Sequence, residues 1–278
     1  MCGAGVRGAA CGAPRAPCDV RGPTRGVRPA APCGIVIDDM PRYPITSPEV
    51  LTFVLLPLLL AGLFGWATTV AWRRGGATAA GARRAGLLAV AAAAAWMAAT
   101  WTAAAGGILL DWDATPPPFA FLVAAIVALA FAIGLGPIGG RLARHIPLWQ
   151  LVAVQAFRLP LEIAMHRLAE RGIMPDQMSY SGRNLDIVTG ATAVVLAWLL
   201  WSGHAGRGAT LIWNLLGLAL LANIVTVAML STPRVAWFGA DRLNVFVMHP
   251  PFVWLPAVLV LAALAGHLIV FRALRGQG

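Results

Sequence analysis

The chain has 278 residues, of which 59% are hydrophobic and 12% are charged, and its formal net charge is +10. Ordinary soluble domains carry about 25% charged residues, so half that share excludes an ordinary soluble protein. Because the arginines lie mostly between apolar runs, where they set membrane topology, the positive charge does not indicate a nucleic-acid partner.

The segment 1–39 differs in composition from the rest of the chain. It is rich in Gly, Ala, Pro and Arg, holds all four cysteines and lacks a long apolar run. Such a segment cannot form a core and is expected to be disordered, and without an apolar h-region it is not a signal peptide. We expect 1–39 to be a non-native extension, Met40 to be the start, and 40–278 to be a single transmembrane helical domain. A natural disordered tail is the alternative.

Seven apolar segments follow, each with the roughly 20 residues needed to cross about 30 Å of hydrocarbon. The pattern predicts an all-α helical membrane bundle of about seven transmembrane helices, with six as the alternative. The fourth segment is apolar around most of its circumference, which favours a spanning helix over one lying in the interface. The sequence predicts one long non-helical stretch, 171–185. The apolar segments cover about 50–72, 85–107, 118–139, 147–169, 186–203, 209–230 and 251–272.

The arginines between these segments predict the orientation. One side holds arginines and no acid, whereas on the other side the arginines are diluted by Asp and Glu. Because Arg-rich loops stay in the cytoplasm, we expect the N-terminus outside and the C-terminus inside. An Arg-rich segment before Met40 would then have to be translocated, which also favours the late start. The Arg, Ala and Gly content, without Lys, indicates a GC-rich bacterial genome and hence a bacterial inner membrane. The acid-free side carries Arg73, Arg74, Arg83, Arg84, Arg141, Arg144, Arg207, Arg272 and Arg275.

The fourth segment carries four polar side chains, Gln155, Arg158, Glu162 and His166. At 100° per residue they fall within one stripe about 80° wide. Ionisable groups at membrane depth cost roughly 2.5–3.5 kcal/mol each, so they need a partner or a function. Their i,i+4 spacing predicts a pair between Arg158 and Glu162, and Pro160 frees a backbone carbonyl at the same depth. The stripe is either a polar site or proton path, or an ion pair that fixes helix packing.

A second polar cluster lies where the fifth segment begins, in SGRNLDIVTG at 181–190. Asn184 or Asp186 can cap the free N–H groups of the following helix. Alternatively, Arg183 and Asp186 fold onto the outer end of the polar stripe and close a site there. The candidate polar site therefore comprises Gln155, Arg158, Glu162, His166, Arg183, Asn184 and Asp186.

The sixth segment carries Asn214, Gly217 and Asn223. A membrane-buried Asn usually bonds to a neighbouring helix, and a small residue allows two helices to approach closely. We interpret these residues as helix-packing positions.

No cofactor or metal is predicted. The chain has no C-x-x-C-H, no P-loop and no G-x-G-x-x-G, and its four cysteines match no zinc pattern. Haem ligation needs two facing histidines at matched depth, which a sequence does not show. A histidine-based membrane redox or metal enzyme is therefore the weaker alternative.

Four stretches carry recognisable motifs: QAFRLPLE at 155–162, GRNLDIVTG at 182–190, WNLLGLALLANIV at 213–225 and PFVWLPAVLVLAALAGHL at 251–268. Together they resemble a family of uncharacterised bacterial multi-pass integral membrane proteins. The resemblance spans roughly Met40 to Arg275. It implies that the polar motifs are the sequence features by which members of that family are identified. It implies no activity, so no catalytic role is carried over.

The sequence thus supports two functional hypotheses from different classes. The first is a small transporter- or channel-like protein with a polar intramembrane site, in which Arg158 binds or pairs with an anion and Glu162 and His166 titrate. The second is a structural or accessory membrane protein whose Arg158–Glu162 pair only locks helix packing. Under both, the lipid bilayer is the predicted partner, with a homo-oligomer or another membrane protein as further partners, and an enzyme is the less favoured class.

Overall fold

The computed structural model describes residues 47–276, and within that range every regular element is helical. The predictions for 1–39 and for the Met40 start lie outside the described residues. The α-helices are α1 (Pro48–Arg74), α2 (Ala79–Ala105), α3 (Pro118–Leu135), α4 (Pro137–His145), α5 (Leu148–Val154), α6 (Arg158–Glu170), α7 (Ile187–Trp201), α8 (Arg207–Leu230) and α9 (Leu261–Gly276), with a π-helical segment, Leu255–Val260, leading into α9.

Five helices are long and apolar enough to cross a membrane: α1, α2, α3, α8 and the continuous helix Leu255–Gly276. This fits a multi-pass membrane protein. The predicted count of about seven spans is not confirmed, because the fourth apolar segment is broken into α5 and α6 and the fifth forms a helix of only 15 residues, α7.

Large apolar side chains cover much of the outer surface. Leu87, Trp201 and Ile212 are each about 70% exposed. Soluble monomers rarely expose contiguous apolar patches of this kind, whereas a bilayer solvates them. The core holds Phe53, Met165 and many other apolar side chains contributed by α1, α3, α6, α8 and the 255–276 helix.

One end of the bundle, here called the basic end, is fixed by arginine contacts to backbone carbonyls. Arg74 at the end of α1 donates to the His145 carbonyl at the end of α4. Arg272 near the end of α9 donates to the carbonyls of Gly134 and Gly136, where α3 ends. The start of α8 meets the end of α9 here as well, because Arg207 donates to the Leu274 carbonyl.

The opposite end, here called the acidic end, is marked by a buried carboxylate. Glu49 in the first turn of α1 is 3% exposed. It accepts from Arg171 at 2.9 Å and lies 3.9 Å from Arg167 in the last turn of α6. Since α1 runs from the acidic end to the basic end, α5 and α6 together run the length of α1 in the reverse direction.

The acidic end also holds a second long irregular segment. The prediction that 171–185 is the one long non-helical stretch is wrong, because 231–254 contains only turns and the short 3₁₀ helix Phe246–Met248. Its apolar content led the sequence interpretation to extend the last helix back to residue 251, whereas the helix begins at Leu255.

We predict that Glu49→Gln destabilises the protein by about 1 kcal/mol. A hydrogen bond to a charged group contributes roughly 1.5–3 kcal/mol, but Arg171 is half exposed, which reduces the contribution of the pair. The apparent thermal midpoint of the purified protein measures the effect. Glu170→Gln is the control, because that carboxylate is 63% exposed; equal midpoints for the two variants would contradict the prediction.

Candidate functional site

The fourth apolar segment is interrupted at its middle. α5 ends at Val154, 155–157 form a 3₁₀ turn, and α6 begins at Arg158. Pro160 has no N–H to donate to the carbonyl of Ala156, so α-helical bonding fails at this turn. Arg158, Glu162 and His166 still lie four residues apart on α6, whereas Gln155 lies in the 3₁₀ turn before it, and the contacts of the four side chains differ. They reach three different parts of the molecule.

Gln155 contacts the last helix. It is 1% exposed, and its Nε2 donates to the carbonyl of Ala263 in α9 at 3.2 Å. The close fit depends on Gly266, because a Cβ at that position would collide with the Gln155 amide. Gln155 thus joins the interrupted helix to α9 and does not belong to the ionic cluster.

Arg158 pairs with Asp186. Its Nη1 lies 2.6 Å from Asp186 Oδ1, and the two side chains are 1% and 8% exposed. The predicted pair between Arg158 and Glu162 is wrong, since the guanidinium turns to the segment that precedes α7. Asp186 occupies the N-cap position of α7, but its side chain does not cap the helix because it accepts from Arg158 instead.

Glu162 is held by Asn184. The Asn184 Nδ2 lies 2.9 and 2.8 Å from the two carboxylate oxygens of Glu162, which is 2% exposed. The same amide donates to the Met178 carbonyl at 3.0 Å, and its Oδ1 accepts from the backbone N–H of Asp186. Asn184 therefore fixes the irregular segment before α7 against α6. We name Arg158, Glu162, Asn184 and Asp186 the ionic cluster.

The ionic cluster lies near half depth of the bundle. Arg158 is about 15 Å from either end of the α5–α6 segment at 1.5 Å per residue. The irregular segment 171–186 leaves the acidic end and returns to this level, where α7 begins. Gly190 of α7 packs on the backbone of Leu159, where a Cβ would lie 2.5 Å from the Leu159 nitrogen. α7 is thus a half-length helix whose N-terminus lies beside Arg158.

The ionic cluster lines a cavity of about 260 Å³. The rest of the wall is apolar and comes from α3, α6, α8 and the 255–276 helix, with residues such as Phe119, Leu161, Met165, Leu221 and Leu259. Two lining residues, Val127 in the middle of α3 and Ala222 in the middle of α8, are exposed on the outer surface. The cavity therefore opens sideways between α3 and α8.

Several buried polar atoms at this cavity have no hydrogen-bond partner among residues 47–276. They are Nε and Nη2 of Arg158 and Oδ1 of Asn244. A buried polar group without a partner costs about 1–3 kcal/mol, more when it is charged. Water or a ligand in the cavity would remove that cost, so these atoms are the strongest structural sign of a binding site.

His166 lies near the acidic end, away from the ionic cluster. Its ring stacks on Tyr180 with centroids 4.2 Å apart, and its Nδ1 lies 3.2 Å from Ser181 Oγ. Its Nε2 lies 3.4 Å from Glu170. The structure thus places this predicted site residue in a partly exposed contact with the 171–186 segment.

Arg183 also lies outside the ionic cluster. Its side chain is exposed and its guanidinium carbon lies 5.3 Å from the centroid of the Phe238 ring. The Arg183 carbonyl accepts from Asn223 Nδ2 of α8 at 2.8 Å. Of the two charged residues predicted to fold onto the stripe, only Asp186 does so.

Asn214 and Gly217 of α8 face His267 of α9. Asn214 Nδ2 donates to the His267 carbonyl at 3.2 Å, and His267 Nδ1 donates to Asn214 Oδ1 at 2.8 Å. At Gly217 a Cβ would lie 2.6 Å from the His267 ring. These side chains are fully buried or nearly so and join α8 to α9.

The sequence interpretation missed the part played by the segment 231–254. Its Asn244 lines the cavity, and Asn244 N–H donates to the Ser231 carbonyl at 2.7 Å. Gln177 of the first irregular segment donates to Ser231 Oγ and to the Arg242 carbonyl. The two irregular segments therefore bond to each other at the acidic end. The sequence signals that mark this segment as irregular are its three prolines and its charged residues Arg234, Asp241 and Arg242.

No group of three or more His, Cys, Asp or Glu side chains that could hold a metal occurs within residues 47–276.

Comparisons with protein families, curated proteins and solved structures find no match to the chain.

We predict that Gly190→Ala destabilises the protein by about 1–3 kcal/mol, because the added methyl group would force α7 away from the α6 backbone and disturb the Arg158–Asp186 pair. Gly208→Ala in α8 is the control, since nothing lies within 4 Å of a Cβ there. Thermal midpoints of the two purified variants measure the difference. A Gly190→Ala protein as stable as Gly208→Ala would contradict the close packing of α7 on α6.

Proposed function

We propose that this protein is a small transporter-like integral membrane protein whose binding site is the ionic cluster and its cavity. The observation that carries the proposal is a buried, incompletely bonded guanidinium in the wall of a cavity at half depth. Ionisable groups inside a membrane usually mark a substrate or ion pathway. We favour binding and transport over an enzymatic role.

The backbone around the ionic cluster supports this proposal. Secondary transporters bind their substrates near the middle of the bilayer, between interrupted helices. Irregular backbone at membrane depth is tolerated only where protein buries it or where it lines a cavity. The 3₁₀ turn between α5 and α6 and the irregular segment before the half-length helix α7 place non-α-helical backbone around Arg158.

In the proposed topology the chain crosses the bilayer seven times. The α5–α6 segment supplies one crossing, and the 171–186 segment with α7 supplies the next. The basic end, with nine arginines and no acid, then faces the cytoplasm by the positive-inside rule. This gives an outer N-terminus and a cytoplasmic C-terminus in the bacterial inner membrane.

An accessory protein without a binding site is the competing function, and one observation favours it. The Arg158–Asp186 pair joins α6 to the start of α7 and could serve packing alone. A packing role requires no water in the cavity, whereas a transport role requires that water or substrate reach it. The two functions therefore differ in the accessibility of the cavity wall.

We predict that Leu161→Cys reacts with a small, uncharged and membrane-permeant maleimide, which can enter the cavity from lipid or from water, in a background whose four native cysteines are serine. Leu161 is 5% exposed and lines the cavity. Leu196→Cys of α7 is the control, because Leu196 is 7% exposed and lies in a packed cluster. We expect labelling of Leu161→Cys to be at least about tenfold faster, which corresponds to about 1.4 kcal/mol. Equal slow rates at both positions would reject the transport role and support packing.

We predict that Arg158→Met prevents accumulation of the protein, whereas the double variant Arg158→Met/Asp186→Leu recovers it. Removing one partner of a buried pair leaves an uncompensated charge and costs about 3–5 kcal/mol, and replacing both by apolar residues is often neutral. The yield and thermal midpoint of the two purified variants measure the recovery. If the double variant is no more stable than Arg158→Met, the main role of Asp186 is not to pair with Arg158.

A further inference from the structure

The shape of the cavity restricts what it can hold. Its polar lining residues are the ionic cluster and Asn244, and the remaining wall is made of apolar side chains. A fully polar solute would leave its polar groups unpaired against that wall, at a cost of roughly 1–3 kcal/mol for each group. An amphiphile, with a polar head at the ionic cluster and an apolar tail along the wall, matches both parts.

The position of the opening indicates where the ligand comes from. Val127 is 41% exposed and lies near the middle of α3. Ala222 is also exposed and lies near the middle of α8. All other residues that line the cavity are buried or half-buried. In the proposed topology this opening faces the hydrocarbon of the bilayer, and not water. A tail can therefore extend from the cavity into the lipid.

The free donors of Arg158 indicate the chemistry of the head. Nη1 is engaged by Asp186, while Nε and Nη2, which lie on one edge of the guanidinium, have no partner among the described residues. Two parallel N–H groups on a guanidinium edge match a carboxylate or phosphate in bidentate geometry. Asn244 Oδ1, also without a partner at this cavity, can accept from a protonated oxygen of the head group.

The charge of the ionic cluster is consistent with an anionic head that brings one proton. The cluster contains one arginine and two carboxyl groups, and Glu162 has no cation within 4 Å among residues 47–276. Two neighbouring negative charges in a medium of low dielectric repel each other strongly, so the two groups are not both ionised. The head group and Glu162 would therefore share one proton when the ligand is bound.

We infer that the ligand is an amphiphile with an oxyanion head group, which enters sideways from the bilayer between α3 and α8 and binds the free edge of Arg158. The inference rests on the proposed function and names its substrate class. A carboxylate and a phosphate monoester share the required head-group chemistry, and the experiment separates them.

The test uses the full chain in lipid nanodiscs and a long-chain fatty acid that carries a photoreactive diazirine on its tail. We expect crosslinks on α3, α8 and the 255–276 helix. An alkyl carboxylate or an alkyl phosphate should compete with the probe, and the stronger of the two identifies the head group. A fatty alcohol or an alkyl trimethylammonium should compete at least about tenfold more weakly, equivalent to 1.4 kcal/mol. Equal competition by all four amphiphiles would overturn the assignment of an oxyanion.

The lateral opening is tested with tryptophan. Val127→Trp/Ala222→Trp narrows the opening and should reduce crosslinking at least about tenfold. The control is Ala128→Trp/Ala219→Trp, which places the same side chains on exposed positions of the same helices away from the cavity. Equal losses in both double variants, or none in either, would overturn sideways access.

The role of Arg158 is tested with Arg158→Met/Asp186→Leu. This variant removes the guanidinium together with its buried partner, and its thermal midpoint shows whether it folds. It should lose the preference for carboxylate or phosphate over alcohol. If it keeps that preference, the head group does not bind Arg158. If the double variant does not fold, Asn244→Leu is tested instead, because this variant removes the acceptor proposed for the head group. We then expect a weaker preference for carboxylate or phosphate over alcohol.

The outcomes separate this inference from the proposed function. Rapid labelling of Leu161→Cys without crosslinking by the fatty acid would overturn the amphiphile and leave a transporter for another substrate. Slow labelling together with selective crosslinking would support the amphiphile and overturn transport through a hydrated site. Failure of both measurements would overturn both proposals.

Discussion

The Arg158–Asp186 ion pair determines how the middle of this bundle is built. A guanidinium that is 1% exposed, in a protein surrounded by lipid, requires a carboxylate in contact. Glu162 of α6 lies one turn from Arg158 but makes no ion pair with it, and the chain after α6 brings Asp186 to the same depth. The irregular return of 171–186 and the half-length α7 place Asp186 there. Asp186 stands at the N-cap of α7, and the helix consequently starts where the pair forms.

Hydrogen bonds around the pair make this arrangement stable. The returning backbone carries polar groups that neither water nor a regular helix can satisfy at this depth. Asn184 satisfies several of them, because it donates to Glu162 and to the Met178 carbonyl and accepts from the Asp186 N–H. Gly190 then lets α7 lie directly on the α6 backbone. These contacts connect the ionic cluster and the half-length helix α7 to α6.

Part of this structure follows from the sequence alone. Runs of about 20 apolar residues predict spanning helices because a bilayer imposes that length, and five of the seven predicted segments meet this criterion in the structure. The polar residues at half depth are also visible in the sequence. The partners of these residues cannot be read from the sequence. An i,i+4 rule describes only neighbours on one helix, whereas Asp186 pairs with Arg158 from 28 positions away. The role of Asn244 is hidden for the same reason, since it depends on how 231–254 folds against 171–186.

Cavity volume does not by itself identify the site. A second cavity of about 270 Å³ lies between α1, α2, α3 and α9, and its wall is almost wholly apolar, with Leu60, Ala93 and Leu261 among its residues. Helices in a bilayer gain little from burying apolar surface against each other, because lipid tails are equally apolar. An apolar void in such a bundle therefore indicates loose packing as readily as binding. The cavity at Arg158 differs because Arg158 and Asn244, which line it, carry polar atoms with no partner among residues 47–276, and a polar ligand or water would compensate them.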